Sequence, residues 1–255
     1  FDPDTGASGG PAPAAASGAD LSALGFTSVN LTDGWTLAAD PDSLVQSVSY
    51  SGDTNTIVMN ALASGSNNHA WGNSSTQRGP RWTKALTVQD ASGSDVRITT
   101  GDYFVFQTVM EYIAPSNRFA ASSVMCATPD GTSLSSSDNK LIGGIGRYQL
   151  SGGTAQQHGA MGGSIASVQS STNNHRTTTV AHVRGQRMEA ITYITTTTSG
   201  SVQAHGRDHP ADTYVNGTTD MNLMLGVGPF STGGIVSGDD VKVKAWFRCI
   251  KMSLP

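Results

Sequence analysis

From about residue 25 onward, apolar and polar residues alternate with a period of two, which is typical of half-buried β-strands. Residues 47–50 and 56–59 show this alternation on either side of Ser51-Gly52-Asp53, and the pattern predicts a hairpin. Residues 103–113 alternate most clearly, and we expect the strongest central strand there.

Further alternating segments predict strands along the rest of the chain, and no segment has the 3.6-residue apolar period of a capped helix. No internal repeat of fixed period is visible. Residues 23–255 are therefore expected to form one all-β domain, an antiparallel jelly-roll β-sandwich of about ten or more strands. The further segments are 95–99, 141–146, 177–183, 188–198, 221–227 and 241–250.

Residues 1–22 differ from the rest because they are rich in Gly, Ala and Pro. Such segments bury little and usually act as linkers or arms. Two interpretations remain open: a disordered terminus, or an extended arm that docks on a neighbouring subunit. The candidate docking residues of the arm are Phe1, Asp2, Pro3 and Asp4.

Charged residues make up only 13% of the chain, against about 25% in an average soluble protein. The net charge of −4 argues against a nucleic-acid partner, which requires a basic excess. No apolar run is long enough to span a membrane, and no signal peptide is visible. Cys126 and Cys249 lie in apolar runs and are interpreted as buried free thiols rather than a disulfide.

The order of the strand segments resembles concanavalin A-like jelly rolls of the lectin, glucanase and laminin-G type. The resemblance is carried by Trp35, by Gly-Asp-Tyr-Phe-Val-Phe at 101–106, by the segment 183–194, and by Val-Lys-Ala-Trp-Phe-Arg-Cys-Ile at 243–250. It implies that the closing strand pairs near the start of the chain, and that one concave sheet can bind glycans. Together with the arm and the abundant Ser, Thr and Asn, the pattern also resembles bacteriophage virion proteins of the capsid-decoration, head-fibre and tail-fibre or adhesin types.

The sequence contains no coherent catalytic motif. Glycoside hydrolysis uses two carboxylates, and the Glu-x-Asp-x-x-Glu motif of the resembling glucanases is absent around Glu111 and Glu189. The densest histidine cluster, at 205–209, is expected to be a loop because of Gly206 and Pro210. We therefore predict that the protein is not an enzyme, and a polysaccharide-degrading enzyme is kept as an alternative.

No metal site and no cofactor are predicted. Calcium is the one ion considered, because jelly-roll lectins hold it with Asp and Asn in loops, and its preferred ligands are carboxylate and carbonyl oxygens. Turn formation explains the same aspartates and is the favoured interpretation. The candidate loops are Asp40-Pro41-Asp42, residues 90–95, and Asp239-Asp240.

The best candidate for a contact surface lies between residues 67 and 82, where two tryptophans, two arginines and several amides occur together. Aromatic faces flanked by planar polar groups are suited to glycans or to a protein partner. The alternative is that Trp82 packs into the core and that Trp71 covers a loop. The candidate contact residues are Asn68, His69, Trp71, Arg78, Arg81 and Trp82.

These observations predict a non-catalytic structural protein of a bacteriophage virion that works by self-association and by docking to other virion proteins. A closed homo-oligomer is expected, with a trimer as the expected form. The alternative function is a carbohydrate-binding module or adhesin that recognises surface polysaccharide. The expected location is the virion.

Overall fold

The structure is a computed structural model and describes residues 18–63, 79–99, 102, 104–113, 120–128, 143–149, 155–161, 164–171, 175–184, 187–196, 202–209, 220–231 and 234–251. These residues contain one helix, α1 (Gly18–Ala23), and seventeen strands, numbered in chain order. All strand pairs are antiparallel, so the predicted all-β class and the antiparallel sandwich are confirmed.

The larger sheet has eight strands, and its spatial order is β15-β14-β13-β8-β17-β4-β3, with β1 paired to β17 outside this order. Its closing strand, β17, contacts β1 near the start of the described chain, as the resemblance implied. The strands are β1 (Thr27–Ser28), β3 (Val45–Ser51), β4 (Thr54–Met59), β8 (Phe104–Ile113), β13 (His175–Arg184), β14 (Arg187–Thr196), β15 (Val202–His209) and β17 (Asp240–Lys251).

The smaller sheet has seven strands in the order β12-β11-β10-β9-β16-β5-β2, and a separate two-stranded hairpin completes the fold. The seven strands are β2 (Thr36–Ala39), β5 (Arg81–Ala85), β9 (Ala120–Thr128), β10 (Gly143–Gln149), β11 (Ala155–Met161), β12 (Ser164–Ser171) and β16 (Asn222–Ser231). The hairpin consists of β6 (Thr87–Gln89) and β7 (Asp95–Arg97).

One hydrophobic core lies between the two sheets because alternate side chains of their strands point inward. On β4, every second residue is buried, which is the burial counterpart of the period-two sequence pattern. The larger sheet contributes Ile57, Phe106 and Val243, and the smaller sheet contributes Trp82 and Leu225. Burial of such side chains stabilises the fold by about 1.5–3 kcal/mol each.

Helix α1 packs on the outer face of the larger sheet and lies across the predicted boundary between residues 22 and 23. Leu21 contacts Val109 and Trp246 in a second buried cluster, with Phe26 packed against it. The helix ends in a Schellman motif: Phe26 N–H donates to the Leu21 carbonyl and Gly25 N–H to the Ser22 carbonyl, both at 2.9 Å. Gly25 has the positive φ of 78° that this motif requires. The sequence pattern missed this helix because six residues show too little periodicity.

Two predicted elements need comment. The hairpin at residues 47–59 is confirmed as β3 and β4. Residues 205–209, predicted as a loop, lie instead in β15, where they pair with β14. The interpretation was wrong because Gly206 is tolerated inside this strand, and Pro210 comes after its last residue.

Candidate functional site

The structure describes only two of the six predicted contact residues. Trp82 is 3% exposed and belongs to the main core, so its ring faces protein rather than solvent. Arg81, beside it on β5, is 8% exposed. The core-packing alternative that the sequence left open for Trp82 is therefore the one observed. Asn68, His69, Trp71 and Arg78, and the arm residues Phe1, Asp2, Pro3 and Asp4, lie outside the described residues.

The most distinctive described surface is the side of the sandwich formed by the edge strands β2 and β3. The larger sheet ends at β3 and the smaller sheet ends at β2. A connection of only five residues, 40–44, joins these two strands, so they lie at the same side of the sandwich. We call residues 36–39 and 45–51 together the β2–β3 edge.

The β2–β3 edge contains no charged residue, since its two strands read Thr-Leu-Ala-Ala and Val-Gln-Ser-Val-Ser-Tyr-Ser. Ser47, Ser49 and Ser51 are exposed, whereas Val48 and Tyr50 alternate with them and are half-buried. Leu37 on β2 is a large apolar side chain that is 42% exposed. Edge strands with open backbone groups and no charge are prone to pair with further strands.

The turn before β3 holds this strand firmly in place. The Asp40 carboxylate accepts hydrogen bonds from Leu44 N–H at 2.8 Å and from Val45 N–H at 2.9 Å. Asn60 Nδ2 donates to the Ser43 carbonyl at 2.7 Å, and Ser43 has a positive φ of 51°. The start of β3 is therefore fixed by side chains on both sides of the turn.

The turn after β3 is equally well defined. Gly52 and Asp53 have φ values of 54° and 64°, which is the pair of positive angles that a two-residue type I′ hairpin requires. Tyr50 shares a hydrogen bond of 2.9 Å with Ser28 Oγ and donates one of 3.1 Å to Asp53 Oδ1. Burial raises the pKa of Tyr50, and the Asp53 carboxylate raises it further, against the Ser28 hydrogen bond. Its hydroxyl therefore stays protonated and keeps the hairpin tip tied to β1.

A buried asparagine on β4 connects the hairpin to the backbone of the neighbouring segment 29–31. Asn55 on β4 is 0% exposed. Its Nδ2 donates to the Val29 carbonyl at 2.8 Å and, at 3.5 Å, to the Val243 carbonyl, while its Oδ1 accepts from Leu31 N–H at 2.9 Å. One side chain thus satisfies backbone groups of the 29–31 segment that no β-ladder reaches.

A second surface feature is a polar cleft of about 500 Å³ between β17 and the strands β5 to β7. Phe247 lines it together with Lys84, Thr87, Gln89, Asp95 and Arg248. Arg248 already makes contacts within the protein. Its Nε donates to Gln107 Oε1 at 2.7 Å and its Nη1 donates to the Leu24 carbonyl at 2.8 Å, and its Cζ lies 5.2 Å from the centre of the Phe26 ring. The cleft combines an aromatic side chain with hydrogen-bonding groups, which suits a polar ligand.

The strand register separates the two glutamates considered for catalysis. Glu111 pairs with Arg176 of β13, whereas Glu189 pairs with His182 of the same strand. Six residues of extended chain correspond to about 20 Å. This exceeds the separation of about 5–9.5 Å between paired carboxylates of glycosidases. The backbone therefore does not bring this pair together.

The aspartates considered for calcium act within their own turns in the described structure. The Asp90 carboxylate accepts hydrogen bonds from the N–H groups of Ser92 and Ser94 and, at 2.6 Å, from Ser92 Oγ, and these bonds lower the pKa of Asp90. Asp239 Oδ2 accepts a hydrogen bond from Val236 N–H at 2.9 Å. With Asp40, these contacts match the turn-forming role that the sequence favoured.

Both cysteines are free thiols, as predicted. Cys126 is fully buried, and burial raises its pKa far above the ordinary value. Cys249 is half-buried at the cleft, and burial followed by the nearby Asp102 carboxylate raises its pKa to about 12. Neither thiol supplies a thiolate near neutral pH, so neither is suited to be a nucleophile.

Among the described residues, no helix has the length and apolar character needed to cross a bilayer.

No protein-family model matches this chain, and no curated protein matches it either. Among solved structures, it is similar to the CBM2 module of the evolved Dit of Lactobacillus casei BL23 phage J-1, with 13% identity, a TM-score of 0.46, and coverage of 90% of this chain and 98% of that one. It is similar to an alginate lyase from Alteromonas sp. 272, with 7% identity, a TM-score of 0.42, and coverage of 89% and 100%. A legume lectin-like domain from Entamoeba histolytica is similar at 7% identity and a TM-score of 0.43, with coverage of 88% and 92%.

These neighbours are jelly rolls of the concanavalin A-like type, which is the group that the sequence resembles. With TM-scores below 0.5 and identities of 13% or less, the likenesses do not assign a function to this chain. The class that the described geometry defines is an all-β antiparallel sandwich with an open, uncharged edge.

Proposed function

We propose that this chain is a non-catalytic structural protein of a bacteriophage virion that acts by self-association and by docking to other virion proteins. The observation that carries the proposal is the β2–β3 edge, where both sheets end in strands without a single charged side chain. Globular proteins usually protect such edges with charges, and an unprotected edge is suited to contact with another chain. The low charge of the whole chain supports the same role, because few charges must lose their hydration in an interface.

The proposal is tested by the mass of the purified chain in solution, measured by light scattering and by sedimentation velocity from about 1 to 100 µM. We expect a concentration-dependent increase from 26.4 kDa to a defined oligomer. A mass of one chain throughout this range would contradict self-association. The predicted trimer stays a prediction that the same measurement decides.

The arm is tested separately by a chain that starts at residue 18, since this truncation keeps α1 and the contact of Leu21 with Trp246. If the arm docks on a neighbour, the truncated chain remains folded but no longer assembles with other virion proteins. Unaltered assembly would show that Phe1, Asp2, Pro3 and Asp4 are not docking residues.

A second candidate function is carbohydrate binding, and the polar cleft beside Phe247 favours it. In this case the chain acts as a binding module or adhesin, and we propose that Lys84 and Gln89, which line the cleft, contact the sugar. A glycan array with the wild-type chain and with Gln89→Ala tests this role. We expect binding that Gln89→Ala weakens and that Ser22→Ala, on the exposed surface of α1, leaves unchanged. Equal binding by both variants would exclude the cleft, and a Trp71→Ala variant would then test the predicted loop.

A further inference from the structure

The free side of β3 can be identified from the strand register. Ser51 pairs with Thr54 across the two-residue turn, and Ser49 pairs with Thr56. In such a hairpin the pair next to the turn exchanges hydrogen bonds, and bonded and non-bonded pairs then alternate. Ser49 and Ser51 therefore direct their backbone groups toward β4, while Val48 and Tyr50 direct theirs away from it. Among the described strands, β4 is the only one that pairs with β3.

We propose that β3 pairs antiparallel with β3 of a second copy of this chain, around a twofold axis that passes beside Ser49. This inference rests on the proposed self-association and identifies the surface that performs it. The axis at Ser49 places Val48 opposite the partner's Tyr50, so that both outward-facing residues of each copy exchange backbone hydrogen bonds. It also places Ser47 opposite the partner's Ser51.

The side chains of β3 fit a second copy of β3 in this register. Val48 against the partner's Tyr50 is a β-branched–aromatic pair on the half-buried face, and the serines meet one another on the exposed face. Both pair types stabilise adjacent strands. Identical strands that carry charge would oppose like charges near the axis, and β3 avoids this because it has none.

Three other features of the chain restrict the contact to the regular part of β3. The register of β3 shifts between Val45 and Ser47, so the regular part available for pairing is Ser47 to Ser51. At the opposite side of the larger sheet, β15 carries Arg207 and Asp208, which is the kind of edge that resists pairing. The arm is a poorer occupant of the β3 edge, because Pro3 and two further prolines at 11 and 13 lack the N–H that a ladder needs.

The pairing joins the larger sheets of two copies into one continuous sheet and produces an isologous dimer. Each copy contributes the same residues, so the contact closes and does not propagate into a filament. A trimer would require a different, heterologous contact.

The main test is Ser49→Lys, which places two like charges next to the twofold axis. Ser49 is exposed, so the lysine reaches solvent in a single chain and the fold is retained. We expect sedimentation equilibrium to show a wild-type dimer, and the substitution to raise its dissociation constant about tenfold or more. Ser22→Lys is the matched control, since Ser22 is exposed on α1, and we expect it to leave the dissociation constant unchanged.

A second variant gives a positive result that does not depend on loss of assembly. Residues 49 of the two copies form a non-hydrogen-bonded pair, whose Cα atoms lie about 4.5 Å apart, within the range that a disulfide bridges. Ser49→Cys should therefore form a covalent dimer under mild oxidation, whereas the wild-type chain should not.

The outcomes separate this inference from the proposed function. An oligomer that persists in Ser49→Lys, with no cross-link in Ser49→Cys, overturns the β3 contact but leaves self-association intact. A trimer, or an assembly that is lost only when residues 1–17 are removed, overturns it as well and favours the arm or another surface. A wild-type chain that remains a single copy overturns both proposals.

Discussion

The network around Asn55 makes the sharpest prediction about stability. Replacement by alanine removes the acceptor of Leu31 N–H at 2.9 Å and the donor to the Val29 carbonyl at 2.8 Å. Val29 is 0% exposed and Leu31 is 5% exposed, so water does not readily replace the lost side chain. A buried polar group left without a partner costs about 1–3 kcal/mol. Two such groups give an expected loss of about 2–6 kcal/mol in the free energy of unfolding.

This loss is large relative to the stability of an ordinary domain, which is about 5–15 kcal/mol. It is measured by urea denaturation followed by tryptophan fluorescence, with the midpoint falling and the slope unchanged. Asn60→Ala is the matched control, because it removes one exposed hydrogen bond, to the Ser43 carbonyl, and should cost about 0.5 kcal/mol.

The reasoning would be refuted if Asn55→Ala destabilised the protein no more than Asn60→Ala does. That result would mean that the 29–31 segment either finds other partners or contributes little to the folded state. It would also remove the explanation given for the fixed position of the β3–β4 hairpin.

Three further predictions follow from the described contacts. Gly52→Ala should lower the unfolding free energy by about 1–2 kcal/mol, since the position has a positive φ of 54° and no steric clash; an unchanged thermal midpoint would contradict the type I′ turn. Burial acts to raise the pKa of Asp102, but hydrogen bonds from Lys251 Nζ at 2.7 Å and from the neighbouring backbone outweigh it and lower the pKa. Its stabilisation is therefore present above about pH 4 and is lost as the pH falls through the folded-state pKa. Asp102→Asn should cost about 0.5–1 kcal/mol at pH 7, and this cost should shrink as the pH falls below about 4, as measured by urea titration over that pH range. Cys126 should react with a thiol reagent at pH 8 only after unfolding, because its side chain is fully buried, and rapid labelling of Cys126 in the native protein would show that the core opens.

The alternation of apolar and polar residues was sufficient to predict the all-β class and the strands of the hairpin, because strand burial has the same period as the sequence pattern. The same reasoning predicted the turn roles of Asp40 and Asp90, whose short side chains bond to nearby backbone groups whatever the rest of the fold. It failed where no local signal exists. α1 is stabilised by the contact of Leu21 with Trp246, which lies more than two hundred residues away. Residues 205–209 form a strand through pairing with β14, and not through their own propensity.

The sequence by itself thus determined the class of fold, the positions of the main strands and the scarcity of charge. Only the tertiary structure decided that β2 and β3 are edge strands on the same side of the sandwich, since the order of strands in a sheet depends on contacts between distant segments. It also placed Trp82 in the core, and it set Glu111 and Glu189 far apart along the strands. The physical reason is that period-two alternation specifies which face of a strand is buried but contains no information about the strands beside it. Whether a strand lies at the edge of a sheet depends on those neighbouring strands.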